Sequence, residues 1–228
     1  MIKIVQDFLP KPIFRYLKQI VESEKGMLWC WNPRNLAPEN PAVGSEHYKL
    51  GKTLYCAPEL ASKGIEDYDK ELMPLFGIFQ LYMMEHLQDR CKTPEEDVRL
   101  KRMKLNLNPN QVNQVVHGTH NDIWVGQINK GRPDPNVVTC VFNFHTCNGS
   151  TTILDKDEKG EYTKKVVVPS FENTAVMFNN THPHFGTTQN DIPARIVLNI
   201  NLAKAPVDPV SLDPTTGKEK FEPLDDYF

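Results

Sequence analysis

The sequence predicts a mainly β protein with flanking helices, an α+β jelly roll or sandwich whose helices come first. Three observations predict it. Apolar residues recur at helical spacing only before about residue 90. From about Val98 the apolar period changes to two, as in a half-buried strand. The later apolar runs are short and are separated by charged, Gly- or Asn-containing turns.

Each element follows in order. Ile2–Val5 reads as a short strand. After Pro10 and Pro12, the residues Ile13, Phe14, Leu17, Ile20 and Val21 share one helical face, with Pro12 in the first turn and Gly26 ending the region. Residues 32–66 are rich in Pro, Asn and Gly and read mostly as loop, with a short strand at Thr53–Cys56. A second helix is expected over Leu72–Asp89, with Pro74 near its start. Three alternating strands then stand out: RLKRMKLNLN, VVTCVFNF and RIVLNINL. Each has an apolar face and an off face carrying Asn or Arg, as expected if one face packs on helices and the other lines a shared polar interior. TTIL and KKVVVP are further strands, joined by DKDEKGEYT. That join is not a calcium loop: Asp155, Asp157 and Gly160 fit, but Lys159 and Val166 stand where ligands are needed. It reads as a charged hairpin turn. One domain is expected over 1–228, with helical and loop support in 1–97, a β core in 98–203 and an extended, proline-punctuated acidic tail in 204–228.

Composition narrows the function classes. Lys plus Arg total 26 against 29 Asp plus Glu, so the net charge of −3 offers no general nucleic-acid or membrane-surface binder. The basic strip Arg99, Lys101, Arg102, Lys104 reads as a solvated strand edge. Five cysteines with no C-x-x-C give neither a disulfide framework nor a zinc ribbon. The N-terminal stretch lacks a signal peptide's unbroken apolar run, and a soluble protein of a reducing cytoplasm is expected.

The chemistry resides in His120-Asn121-Asp122. On a strand, residues two apart point the same way, so an imidazole and a carboxylate converge. A third histidine from a distant strand would complete a 2-His-1-carboxylate triad, which leaves adjacent positions open at iron(II). Chance alone yields about one H-x-[DE] in such a composition, so the motif gains weight only from its company. That company is NNTHPHFGTT, with His182 and His184 both eligible, and Arg195 on the next strand. His47 and His86 read as surface or packing groups, His117 as a loop residue, and His145 as facing pocket or water. Trp124 reads as a pocket wall or a plain hydrophobic contact.

The stretch from Arg102 to Leu202 resembles the catalytic core of the iron(II)/2-oxoglutarate-dependent oxygenases. It is most similar to the prolyl 4-hydroxylase-like branch, including small versions carried by cyanophages. The residues that carry the resemblance are, in order, His120-Asn121-Asp122, the strand VTCVFNF, the family's turn at Asn148-Gly149-Ser150-Thr151, Ala175–Phe178, His184-Phe185-Gly186 and Arg195. IVQDFLPKPIF and the Trp29-Cys30-Trp31 region also resemble phage-type members. The resemblance covers the middle half of the chain and, loosely, the first third.

It implies a double-stranded β-helix with the N-terminal helices on one sheet. It implies iron held by His120, Asp122 and His184, and 2-oxoglutarate held through its distal carboxylate by Arg195, where a guanidinium can bond bidentately. The implied reaction uses oxygen to convert 2-oxoglutarate to succinate and carbon dioxide while the substrate is hydroxylated. Asp122 argues against halogenation, because a halide would need the position the carboxylate fills. Many relatives place a tyrosine against the cosubstrate; here Asn106 or Asn108 and Asn143 stand at those places, with Thr151 nearby. The substrate is unknown: a prolyl or other peptide side chain is the family-level expectation, and a small molecule or a nucleobase are the alternatives. A cupin-like metal enzyme without 2-oxoglutarate, or a non-enzymatic jelly-roll binding module, are the rival readings.

Overall fold

The computed structural model describes residues 2–23, 27–32, 49–61, 66–87, 96–110, 112–125 and 131–206. His47, Cys91 and the tail beyond 206 lie outside the described residues. The elements are β1 (Ile2–Val5), α1 (Lys11–Glu22), β2 (Cys30–Asn32), β3 (Lys49–Cys56), β4 (Asp67–Tyr68), α2 (Met73–Phe76) and α3 (Ile78–Leu87). There follow β5 (Glu96–Pro109), β6 (Trp124–Val125), β7 (Arg132–Pro133), β8 (Val137–Asn143), β9 (Cys147–Lys156), β10 (Tyr162–Ser170), β11 (Thr174–Asn179), β12 (His184–Thr187) and β13 (Ala194–Pro206).

The strands form a jelly roll. The major sheet runs β1-β11-β8-β13-β5-β3-β2, with β4 paired to β3. The minor sheet runs β10-β9-β12. The segment before Asp122 extends the minor sheet through two isolated antiparallel bridges, Val116 with Thr187 and His120 with His184.

Alternation sorts the major sheet into two faces, as its sequence implies. Val138, Cys140, Phe142, Ile196, Leu198 and Ile200 lie in the helix-side core. There Phe14, Leu17 and Val21 of α1 and Phe79 and Met83 of α3 complete the layer. Phe79 meets Phe142 edge-on, with centroids 4.8 Å apart, a favoured aromatic geometry. On the opposite face, Val141, Ile153, Val176, Phe178 and Val197 form a smaller core between the two sheets. Beside it lie the buried polar residues Asn106, Asn108, Asn143, Arg195 and Asn201.

Four expectations need correction. The helix expected over Leu72–Asp89 is two pieces interrupted at Gly77, and Asp89 lies outside the described residues. Within the expected loop 32–66, β3 runs for eight residues, because long-range pairing with β5 holds it rather than a local alternation. Asn148–Thr151 is not a turn but lies inside β9. The basic strip is no sheet edge: β5 is flanked by β13 and β3, so Arg102 and Lys104 share the inner face with Asn106.

Candidate functional site

His120, Asp122 and His184 come together with their ligand atoms within 4.8 Å of one another. His120 Nε2 lies 3.8 Å from Asp122 Oδ1, and His184 Nε2 lies 4.0 Å from Asp122 Oδ2. The two imidazole centroids are 4.5 Å apart.

The convergence has a different cause from the one the sequence suggests. H-x-D does not sit on a regular strand. His120 is fixed by a reciprocal pair of backbone bonds with His184, each N–H donating to the other's carbonyl at 2.9 Å. Asp122 is fixed by Asn180, whose Oδ1 accepts from the backbone N–H of Asp122 and of Ile123, both at 3.1 Å. Asn180 Nδ2 donates to the Ile123 carbonyl at 2.7 Å. One buried amide thus serves as the clamp for the whole H-x-D segment. Its only sequence signal was a place in NNTHPHFGTT, two residues before His182.

The electrostatics favour a cation. Burial alone would raise the Asp122 carboxyl, but Arg102, then His184, His120 and the Asn201 amide hold it well below the usual carboxylate range. Arg102 Nη2 lies 2.8 Å from Asp122 Oδ1, and Asn201 Nδ2 donates to Oδ2 at 3.0 Å. Arg102, Asn201 and Thr139 form one row across β5, β13 and β8, so a row of the major sheet supports the carboxylate. Burial pushes the His184 imidazole down to about 4 despite Asp122, so it is neutral with a lone pair to give. Its Nδ1 is buried without a hydrogen-bond partner. His120 Nδ1 lies 3.0 Å from the Gly118 carbonyl. With Nδ1 donating there, Nε2 keeps its lone pair toward Asp122. The donor set, two imidazoles and one carboxylate with ligand atoms within 4.8 Å of one another, fits iron(II).

His182 does not join this cluster. Its Nδ1 lies 3.2 Å from the Leu154 carbonyl and 3.4 Å from Asp155, on the β9 side, with Tyr162 edge-on. His145 faces neither pocket nor water but pairs with Glu22 of α1 at 2.9 Å. His86 packs its ring 5.4 Å from Phe8. Trp124 donates from its indole to the Asn121 carbonyl at 3.1 Å.

Arg195 is a buried guanidinium surrounded by neutral acceptors. Nη2 donates to Asn143 Oδ1 at 3.0 Å and to Thr151 Oγ1 at 3.3 Å. Nη1 donates to the carbonyls of Ser150 and Thr187, and Nε to Ser170 Oγ, all at 3.2 Å. Among the described residues no carboxylate pairs with it, and burial pulls it down to about 10. Gly149 makes room for it, since a Cβ there would stand 3.1 Å from Arg195 Cδ and 3.0 Å from the Thr187 carbonyl. Of the other sequence candidates, Asn143 and Thr151 hold Arg195, while Asn106 lies on the same inner face with a buried, unbonded Oδ1. Sequence reasoning missed Asn180, Asn201 and Ser170, and mistook Arg102 for a surface group.

A jelly roll with a His-Asp-His cluster and a separate buried arginine on its inner face resembles, in fold, solved structures of 2-oxoglutarate and iron(II) oxygenases. An oxidoreductase of the 2OG-Fe(II) oxygenase family from Burkholderia pseudomallei resembles the chain with a TM-score of 0.61 at 10% identity, covering 89% of this chain and 84% of that one. HygX from Streptomyces hygroscopicus, solved with nickel, 2-oxoglutarate and hygromycin B bound, gives 0.53 at 10% identity over 89% and 82%. A prolyl-4-hydroxylase from Pseudomonas putida gives 0.50 at 13% identity over 89% and 91%. No protein-family model matches the sequence, and no curated protein matches it. Among the described residues, no helix is long and apolar enough to cross a membrane.

Proposed function

We propose that the chain is an iron(II)- and 2-oxoglutarate-dependent oxygenase that hydroxylates its substrate. One observation carries this reading. The buried guanidinium of Arg195, with no carboxylate partner among the described residues, shares the inner face with a His-Asp-His cluster. A buried cation left without an anion is costly, and a ligand carboxylate offsets that cost. A cupin-like metal enzyme has no use for such an arginine.

In this reading His120, Asp122 and His184 hold the iron. Bound there, iron supplies oxygen activation coupled to decarboxylation of 2-oxoglutarate to succinate and carbon dioxide. Arg195 receives the distal carboxylate of 2-oxoglutarate, and Asn143, Thr151 and Ser170 fix the guanidinium's plane. Asn106 presents an unbonded Oδ1 acceptor on the same inner face. Asn180 and Asn201 keep Asp122 in register, and Arg102 keeps it ionised. Phe178, edge-on to His184 at 4.9 Å, covers that imidazole from water. For the substrate, a prolyl or other peptide side chain agrees with the Pseudomonas neighbour, whereas HygX was solved with hygromycin B. The neighbours therefore share the fold rather than a substrate.

The test is stoichiometric. The chain, given iron(II), 2-oxoglutarate and oxygen, forms succinate slowly even without substrate, in step with the 2-oxoglutarate consumed. Binding of iron and 2-oxoglutarate without any succinate formation would contradict the proposal.

A further inference from the structure

We propose that the inner wall formed by β3 and β5 beside the triad is an anion site, built by Lys49, Lys104 and Arg102, that receives a phosphate or similarly dianionic group of the primary substrate. This rests on the proposed function and names the class of molecule it acts on.

Register places these residues together. Thr53 pairs with Lys104 and Gly51 with Asn106, so Lys49, Gly51 and Thr53 share the inner face with Arg102, Lys104 and Asn106. The missing side chain at Gly51 gives Lys104 its path: a Cβ there would stand 3.0 Å from Lys104 Cε and 3.6 Å from Nζ. Neither lysine is a solvated surface group. Burial, then Lys104, pushes the Lys49 ammonium down to about 8, with Arg102 adding to this and Asp122 opposing it. Burial, then Arg102, also lowers Lys104. The cations thus repel one another across a partly buried wall.

The neighbouring charges do not offset them. Among the described residues, Asp122 is the one carboxylate whose charge reaches both lysines, and Arg102 already pairs with it. Metal loading sharpens the imbalance. Two positive charges on the metal would be met by Asp122 and the chelating carboxylate of 2-oxoglutarate, and the distal carboxylate by Arg195. Among the described residues Lys49 and Lys104 would then remain without a counter-charge, and Arg102 would share Asp122 with the metal.

That surplus does not serve 2-oxoglutarate. The Arg195 guanidinium reaches toward Asn143 on β8 and Thr151 on β9. The lysines sit on β5 and β3, two and three strands away from β8, or about 10 and 14 Å at the usual strand spacing. Lys49, Lys104 and Arg102 on one wall suit a dianion better than a single carboxylate.

The experiment uses the full chain loaded with manganese(II) and saturating 2-oxoglutarate, with inorganic phosphate as probe and acetate as comparison. Phosphorus-31 relaxation reads proximity to the paramagnetic metal, and calorimetry reads affinity with and without metal. The expected result is saturable relaxation, phosphate bound more tightly than acetate, and at least about tenfold weaker phosphate binding in Lys49→Gln or Lys104→Gln. Manganese and 2-oxoglutarate affinities should stay as they were, and Lys49→Arg should keep phosphate binding. Absent or non-saturable phosphate binding beside normally bound manganese and 2-oxoglutarate would overturn the site alone. So would equal acetate binding, or phosphate binding untouched in the glutamine variants. Failure of the chain to bind manganese and 2-oxoglutarate would instead overturn the oxygenase reading; phosphate titration of the metal-free chain would still decide the anion site.

Discussion

Two arginines on the inner face have opposite surroundings. Arg102 pairs at 2.8 Å with Asp122. Arg195, more deeply buried, has five neutral acceptors and no carboxylate among the described residues. The difference separates two jobs. Arg102 tunes a group the protein already owns, while in the proposed function Arg195 takes an anion from outside. An arginine with its own acid is weak evidence for a ligand; one buried among carbonyls and amides is stronger evidence, because its charge is desolvated without return.

The triad end should give the largest effect. His184→Ala removes a ligand from a three-residue set, and iron(II) or manganese(II) affinity measured by calorimetry should fall beyond detection. His182→Ala, whose ring bonds to Leu154 and Asp155, should leave that affinity within about twofold. The reverse pattern would exchange the two histidines' roles.

A middling effect belongs to the groups that hold Asp122. Asn201→Ala removes the donor to Oδ2 without changing the net charge. Metal affinity should drop about 10- to 100-fold while 2-oxoglutarate affinity at saturating metal changes little. Equal losses of both would show that the two ends of the face are not separate.

A further effect is on pH and stability. Burial holds His184 at about 4, below the ordinary imidazole value, so as pH falls the unfolded chain takes up the proton first. Metal-free stability from denaturant unfolding should be full above about pH 6.5 and decline toward pH 4, by on the order of 3 kcal/mol from this group. Asp122 is held lower still, so its own contribution is lost only at more acid pH. In His184→Phe the decline across that window should shrink.

The fold was legible where local pattern decides. Alternation in β5, β8 and β13 is written in single residues, and the α1 face in i, i+3, i+4 spacing. What local pattern does not carry was misjudged. β3 is a strand because β5 pairs with it, and its burial shows no period of two. The basic strip was read as a solvated edge because a sequence does not say which strands flank β5. The grouping of His120, Asp122 and His184 was legible, but not its supports: Asn180 and Asn201 act through bonds to residues 57 or more positions away. A lone asparagine gives no hint of such a partner.

The most direct measurement is the visible absorption of the anaerobic chain mixed with iron(II) and 2-oxoglutarate, in the native sequence and in Arg195→Ala. The account predicts a charge-transfer band in the native chain that needs both components. In Arg195→Ala the band should require roughly 30-fold or more 2-oxoglutarate, since truncating one partner of a buried charge pair costs at least about 2 kcal/mol. A folded native chain that gives no band, or a band whose 2-oxoglutarate dependence ignores Arg195, would contradict it.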